Sequence, residues 1–214
     1  MSVEAPLHAI VYPDTDGEPM AENTVQYRWI TTIVGGIEVL FKDDPAVFVA
    51  GDLFWYPVQG DPNTRVAPDA LVAFGRPKGD RGSYKQWEEG GTAPQVVFAV
   101  LSPGNRPAEM RRKLQFYDRF QVEEYYLIDP GPPAVLKGWT RQGKGLRRVS
   151  KMNGWTSPRL GVRFEKTGED VRIIRPDGAR FLTPLELAER AETAERRADR
   201  LAERLRALGL DPDA

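Results

Sequence analysis

The chain has 214 residues, 41% of them hydrophobic and five of them Trp, which supports one packed domain with an appendage and excludes wholesale disorder. With 30 Lys and Arg against 31 Asp and Glu the formal net charge is -1, so nucleic acid meets no global attraction and has to be held by a local basic patch. The absence of cysteine removes disulfides and thiolate metal sites, a single histidine (His8) leaves almost no basis for imidazole catalysis, and no run approaches the roughly 20 apolar residues of a membrane span.

Residues 1–20 are rich in Pro and Gly and read as an arm with at most one short strand, "HAIVY". From Ala21 to Lys42, Val25, Trp29, Ile33, Ile37 and Leu40 fall at helical spacing, with Gly35 and Gly36 able to bend or interrupt the helix. "AVFVAGDLFWYPV" and "RVAPDALVAF" read as two strands of a hairpin or meander. The stretch "GRPKGDRGSYKQWEEGGTA" has too much Gly and charge for core and reads as a loop.

Gln95–Leu101, "QVVFAVL", is a continuous apolar run and predicts a central strand buried on both faces. Pro107–Phe120 predicts a helix with Met110, Leu114, Tyr117 and Phe120 on one side, and "EEYYLIDP" predicts a strand over Tyr125–Asp129. Strand, helix and strand in this order form a crossover unit, so the fold class is α/β with a partly parallel sheet. The segments after Pro133 read as meander hairpins added to that sheet.

The last segment opens with Thr183, Pro184 and Glu186 arranged as a capping box. Leu187, Ala191, Ala194, Ala198, Leu201, Leu205 and Leu208 then alternate spacings of four and three. Two readings stand for residues 183–210: a short coiled coil that makes a homodimer, or a helix folded back on its own domain. The organisation is thus an arm (1–20), one domain (21–180) and a terminal helix.

No Ser/His/Asp triad can be built and no GxGxxG or GxxxxGK[ST] occurs, so chemistry falls to carboxylates and lysine. Asp69 in "APDAL" follows a proline at a strand start, a rigid position for a hard-cation ligand, although Pro-Asp is also a common turn element. Lys113 lies in "RRKLQFYDRF", where basic runs are also ordinary solvated faces.

The order "PD", "QVVFAVLSPGNR", "KLQFYDRFQVEEYYLIDP" resembles the Uma-two family of restriction-endonuclease-like proteins, within the PD-(D/E)XK nuclease superfamily. That resemblance covers most of residues 20–140. It implies a restriction-endonuclease-like core, a mixed sheet flanked by helices, and metal-dependent hydrolysis of DNA phosphodiesters with Mg²⁺ or Mn²⁺. Carried over, Asp69 matches the first acid and metal ligand, Lys113 matches a lysine placed on the following helix, and the strand Glu of the family falls on Ala99. Two carboxylates hold the metal in such a site, and loss of one important electrostatic group lowers rate by about 10² to 10³. The expectation is therefore weakened or absent metal binding and little or no cleavage.

Three explanations of Ala99 stay open: an inactivating substitution made deliberately, a natural pseudo-nuclease, or a nearby acid such as Glu109 taking over. The resemblance also brings in Glu22 and Gln26 on the first helix as accessory residues. Gln95 shares a strand face with Ala99 and points toward the site mouth or merely opens the strand. Arg76, Lys78, Arg81 and Lys85, with Arg106, Arg111 and Arg112, form a DNA-contacting rim if the fold gathers them, with Tyr84 and Trp87 to stack; otherwise they are a solvated loop. The alternative function is a non-catalytic nucleic-acid-binding or assembly module on a nuclease scaffold, and the setting expected is cytoplasmic, away from membranes.

Overall fold

A computed structural model describes residues 10–15, 17, 21, 23–168, 170–209 and 211, so His8, Glu22 and most of the arm, including part of "HAIVY", lie outside the described residues. The elements are α1 (Thr24–Leu40), β1 (Val47–Ala50), β2 (Trp55–Tyr56), β3 (Ala70–Phe74), β4 (Tyr84–Lys85), β5 (Val96–Val100), α2 (Pro107–Arg119), β6 (Glu124–Asp129), β7 (Val135–Gln142), β8 (Gly145–Arg148), β9 (Arg163–Thr167), β10 (Asp170–Ile174) and α3 (Pro184–Ala207). Among the described residues no helix is long and apolar enough to cross a membrane.

Six strands make one mixed sheet in the order β1-β3-β5-β6-β7-β8. Only β5 and β6 run parallel within it, joined by α2 as the apolar spacing predicts. Every β5 residue is buried, because both faces of the sheet are covered. Strand alternation sends Val96, Phe98 and Val100 to the side of α1 and of β9–β10, and Val97 and Ala99 to the side of α2, Trp55 and Tyr84.

The helix α1 runs unbroken through Gly35 and Gly36. Asn23 caps it, its side chain accepting from Gln26 N at 2.9 Å. The buried face is Gln26, Ile30, Ile33 and Ile37, whereas Val25 is 45% exposed, so the predicted stripe is turned by one position in its first half. Each fully buried isoleucine contributes roughly 1.5–3 kcal/mol. Gly36 is required by a close approach, since a Cβ there would stand 2.3 Å from the Phe181 ring.

Three other expectations are corrected. β1 pairs directly with β3, and the segment between them leaves to form a separate small parallel sheet of β2 with β4. The charged loop is not free of core: it carries β4, and Tyr84 is fully buried and stacks on Phe48 at 5.8 Å. The hairpin β7–β8 extends the main sheet, but β9 and β10 form their own two-stranded sheet packed on its α1 side. The described part of the arm has no strand; Tyr12 packs edge-on to Tyr56 at 5.2 Å and against Trp87 at 5.0 Å.

Residues 182–214 form a compact unit of their own. The capping box at its start is formed: Glu186 N donates to the Thr183 hydroxyl at 3.3 Å and Thr183 N donates to Glu186 Oε2 at 2.9 Å. No residue of α3 is buried.

Candidate active site

β3 begins one residue after Asp69, and its antiparallel register with β5 pairs Ala70 with Phe98 and Leu71 with Val97. One step further along the same register, Asp69 faces Ala99. Opposed residues of an antiparallel pair have Cβ atoms about 4.5–5.5 Å apart and share a face. A carboxylate at position 99 would therefore stand beside that of Asp69, where the structure has a methyl group 2% exposed.

Because β3 starts only at Ala70, two side chains complete the β3-facing edge of β5 beyond it. Asp69 Oδ2 accepts from Val100 N at 2.6 Å, and Gln26 Nε2 donates to Val100 O at 2.9 Å. Both backbone groups of Val100 are thereby satisfied, as buried peptide groups need to be. Burial pushes the Asp69 carboxyl up to about 6 against the opposing effects of the Val100 N–H and Lys113; Asp52 and Glu109 push it the same way as burial.

Lys113 and Glu109 sit one turn apart on α2 and pair at 3.4 Å, both partly shielded. Their charges reach Asp69, so the helix brings an acid and a base over the Asp69–Ala99 row. Asp52 arrives from a different direction: a Cβ at the preceding Gly51 would stand 3.4 Å from the Asp69 carbonyl oxygen, and Asp52, at a positive φ of 49°, donates its N–H to Pro68 O at 3.1 Å. Nothing in the sequence pattern singles out Asp52, because a Gly-Asp turn between strands is common; the left-handed conformation that Asp tolerates is its only local signal.

Two further groups escaped the sequence reading. The hydroxyls of Tyr117 and Tyr125 are buried without a hydrogen-bond partner. Their rings meet at 4.9 Å, and burial together with Asp69 and Glu109 raises the pKa of each. Both belong with Ala99 to the packed cluster under α2. An orphaned buried hydroxyl costs about 1–3 kcal/mol.

The remaining sequence candidates separate. Gln95 stands at the opposite end of β5 from Asp69, its Oε1 accepting from Phe74 N at 2.8 Å, which makes it an edge closure and not part of the site mouth. Arg76 and Lys78 follow the far end of β3, about 17 Å from Asp69 at roughly 3.4 Å per residue. Lys78 donates to the carbonyls of Phe41 and Lys42 at 2.7 and 2.9 Å and closes the end of α1. Arg81 makes two bonds to Glu89, at 2.5 and 3.2 Å, and lies 3.9 Å over Phe48. Lys85 pairs with Glu88 at 3.6 Å. Lys78, Arg81 and Lys85 are thus engaged by neighbours within the scaffold, while Arg106, Arg111 and Arg112 are exposed on or beside α2 near Lys113.

The donor set does not fit a resident metal ion as it stands. Among the described residues no three His, Asp or Glu side chains are placed to hold one. Asp69 already accepts a backbone N–H, Glu109 is engaged by Lys113, and position 99 offers no oxygen.

A family model described as "Uma2: Putative restriction endonuclease" matches residues 16–160. Among solved structures, the chain is similar to one described as a "putative nuclease belonging to DUF820 from Anabaena variabilis ATCC 29413". The identity is 15% and the TM-score 0.49, over 67% of this chain and 76% of that one. No curated protein matches.

Proposed function

Because the chain belongs to the Uma2 family of restriction-endonuclease-like proteins, we propose that it is a DNA endonuclease scaffold of the metal-dependent PD-(D/E)XK type whose hydrolytic centre is incomplete at Ala99. The observation that carries this reading is the row formed by Asp69 and Ala99 on adjacent strands with Lys113 over it. Burial raises the Asp69 pKa even with the Lys113 charge opposing it, as expected for a carboxyl group held in a low-dielectric site. No step of hydrolysis is assigned to a metal in the chain as it stands.

The test is Ala99→Glu, assayed on supercoiled plasmid with Mg²⁺ or Mn²⁺ beside the unaltered chain, with Asp69→Ala in the restored background as control. The expected outcome is metal-dependent nicking that rises by about 10² to 10³ and is lost with Asp69→Ala. The second reading, a non-catalytic nucleic-acid-binding or assembly module, gains if Ala99→Glu stays inert with both metals while DNA is still bound.

A further inference from the structure

Between α2 and the outer strands of the sheet lies a cavity of about 320 Å³, at the lower end of the roughly 300–1,000 Å³ typical of small-ligand sites. Its floor is made by Tyr125 and Leu127 of β6 and Trp139 of β7, and its wall by Met110 and Leu114 of α2. Tyr125 and Trp139 are register partners and their rings stack face to face at 5.0 Å with planes 16° apart, so Tyr125, fully buried, backs the half-buried Trp139, which supplies the aromatic surface of the cavity.

The rim differs in kind. Arg111, Lys137 and Arg148 all line the cavity, and the side chain of none of them is engaged by a hydrogen bond or ion pair among the described residues. Arg148 is the register partner of Trp139, and Lys137 that of Leu127, so the cations are set by strand pairing against the apolar floor. By contrast, Arg141 is used internally by Asp118 at 3.2 Å and Arg81 by Glu89 at 2.5 Å.

An apolar floor with one accessible indole face, under three uncommitted cations, suits a ligand with a planar body and more than one negative charge. A fatty acid offers one carboxylate and no plane; a sulfate or phosphate ion leaves the aromatic floor unused. We propose that this cavity binds a nucleotide, its base against Trp139 and its phosphate at Arg111, Lys137 and Arg148. The same chemistry comes from a free nucleoside monophosphate or from an unpaired nucleotide of a strand. In the second case the inference rests on the nucleic-acid reading above and deepens it, because Tyr125 joins the two places: its ring backs Trp139, and it belongs with Ala99 to one packed cluster.

The experiment uses the full chain in EDTA, so that it stands apart from cleavage. Binding of dAMP is read from tryptophan emission, with Trp139→Phe as reference. Binding of a short fluorescein-labelled single strand is read from anisotropy, and the same strand with abasic sites and inorganic phosphate serve as comparisons. Loss of base stacking predicts about tenfold weaker binding of the abasic strand. Arg148→Ser and, independently, Arg111→Ser, both exposed side chains, are each expected to weaken binding about three- to tenfold with unchanged circular dichroism. Binding of dAMP alone with this dependence assigns a free nucleotide; binding of the strand alone assigns an unpaired one; binding of both leaves the cavity open to either source, and each supports the proposal. Equal binding of the abasic strand, competition by phosphate equal to that by dAMP, indifference to both Arg variants, or no binding at all overturns it. A restored Ala99→Glu chain that cuts plasmid while failing these tests loses the cavity and keeps the nuclease reading.

Discussion

Asp69 serves two demands with one carboxylate: it ends the β3–β5 ladder by accepting from Val100 N, and it is the only acid in the row that faces Ala99. Its folded-state pKa of about 6 lies above the ordinary 3.8, so the folded protein binds this proton more tightly than the unfolded chain. Stability from this group is undiminished below about pH 4 and declines as pH rises through 6. Asp69→Asn, which keeps an oxygen for Val100 N, should raise stability at pH 7 by on the order of 2 kcal/mol and leave it near unchanged at pH 4, as read from urea midpoints. At position 99 the opposite sign is expected: Glu beside Asp69 places two carboxylates together and raises one pKa further. Part of that penalty is offset by the Tyr117 and Tyr125 hydroxyls, so a double-mutant cycle of Ala99→Glu with Tyr117→Phe should return a favourable coupling of about 1 kcal/mol.

At the scale of elements, α1 shows packing overruling propensity. Gly35 and Gly36 both weaken an isolated helix by about 1 kcal/mol each relative to Ala. A Cβ at Gly35 meets open space, whereas one at Gly36 enters the Phe181 ring. Gly35→Ala should therefore stabilise by about 0.5–1 kcal/mol and Gly36→Ala destabilise by about 1–3 kcal/mol, a pair that thermal unfolding separates. The same helix explains why the predicted stripe is turned: Gln26 goes inward because the carbonyl of Val100 needs a donor, and burial of a polar residue for a distant backbone group leaves no hydrophobic period to read. β4 escaped for a related reason, being two residues long in a segment otherwise rich in Gly and charge, with only Tyr84 reaching the core.

At the scale of the whole molecule, the terminal helix presents Leu187 at 42% and Leu201 at 58% exposure along the four-three spacing, with no residue of α3 buried. We propose that this stripe pairs with a second copy. Arg190, Arg197 and Arg204 flank it on one side and Glu195 on the other. A parallel pair sets Arg190 against Glu195 of the second copy, while an antiparallel pair opposes arginines, so the charges favour the parallel arrangement. Light scattering should give a dimer for the full chain and a monomer for residues 1–182; an unchanged mass would remove the helix from assembly.

What the residues alone determined is the local part: the β5–α2–β6 crossover, the capping box of α3, and the presence of a methyl where the family resemblance places a carboxylate. These follow from periods of two and of about 3.6 residues, which need only near neighbours in the chain. The tertiary structure decided the convergence. Asp69 reaches Val100 across 31 residues and Gln26 reaches it across 74, and Asp52, Glu109 and the two tyrosine hydroxyls gather around them from separate elements. It also parted the cations, tying Lys78 and Arg81 into the scaffold and leaving Arg111, Lys137 and Arg148 around a cavity. Register and loop path set which side chains meet, and neither is written in any one stretch of sequence.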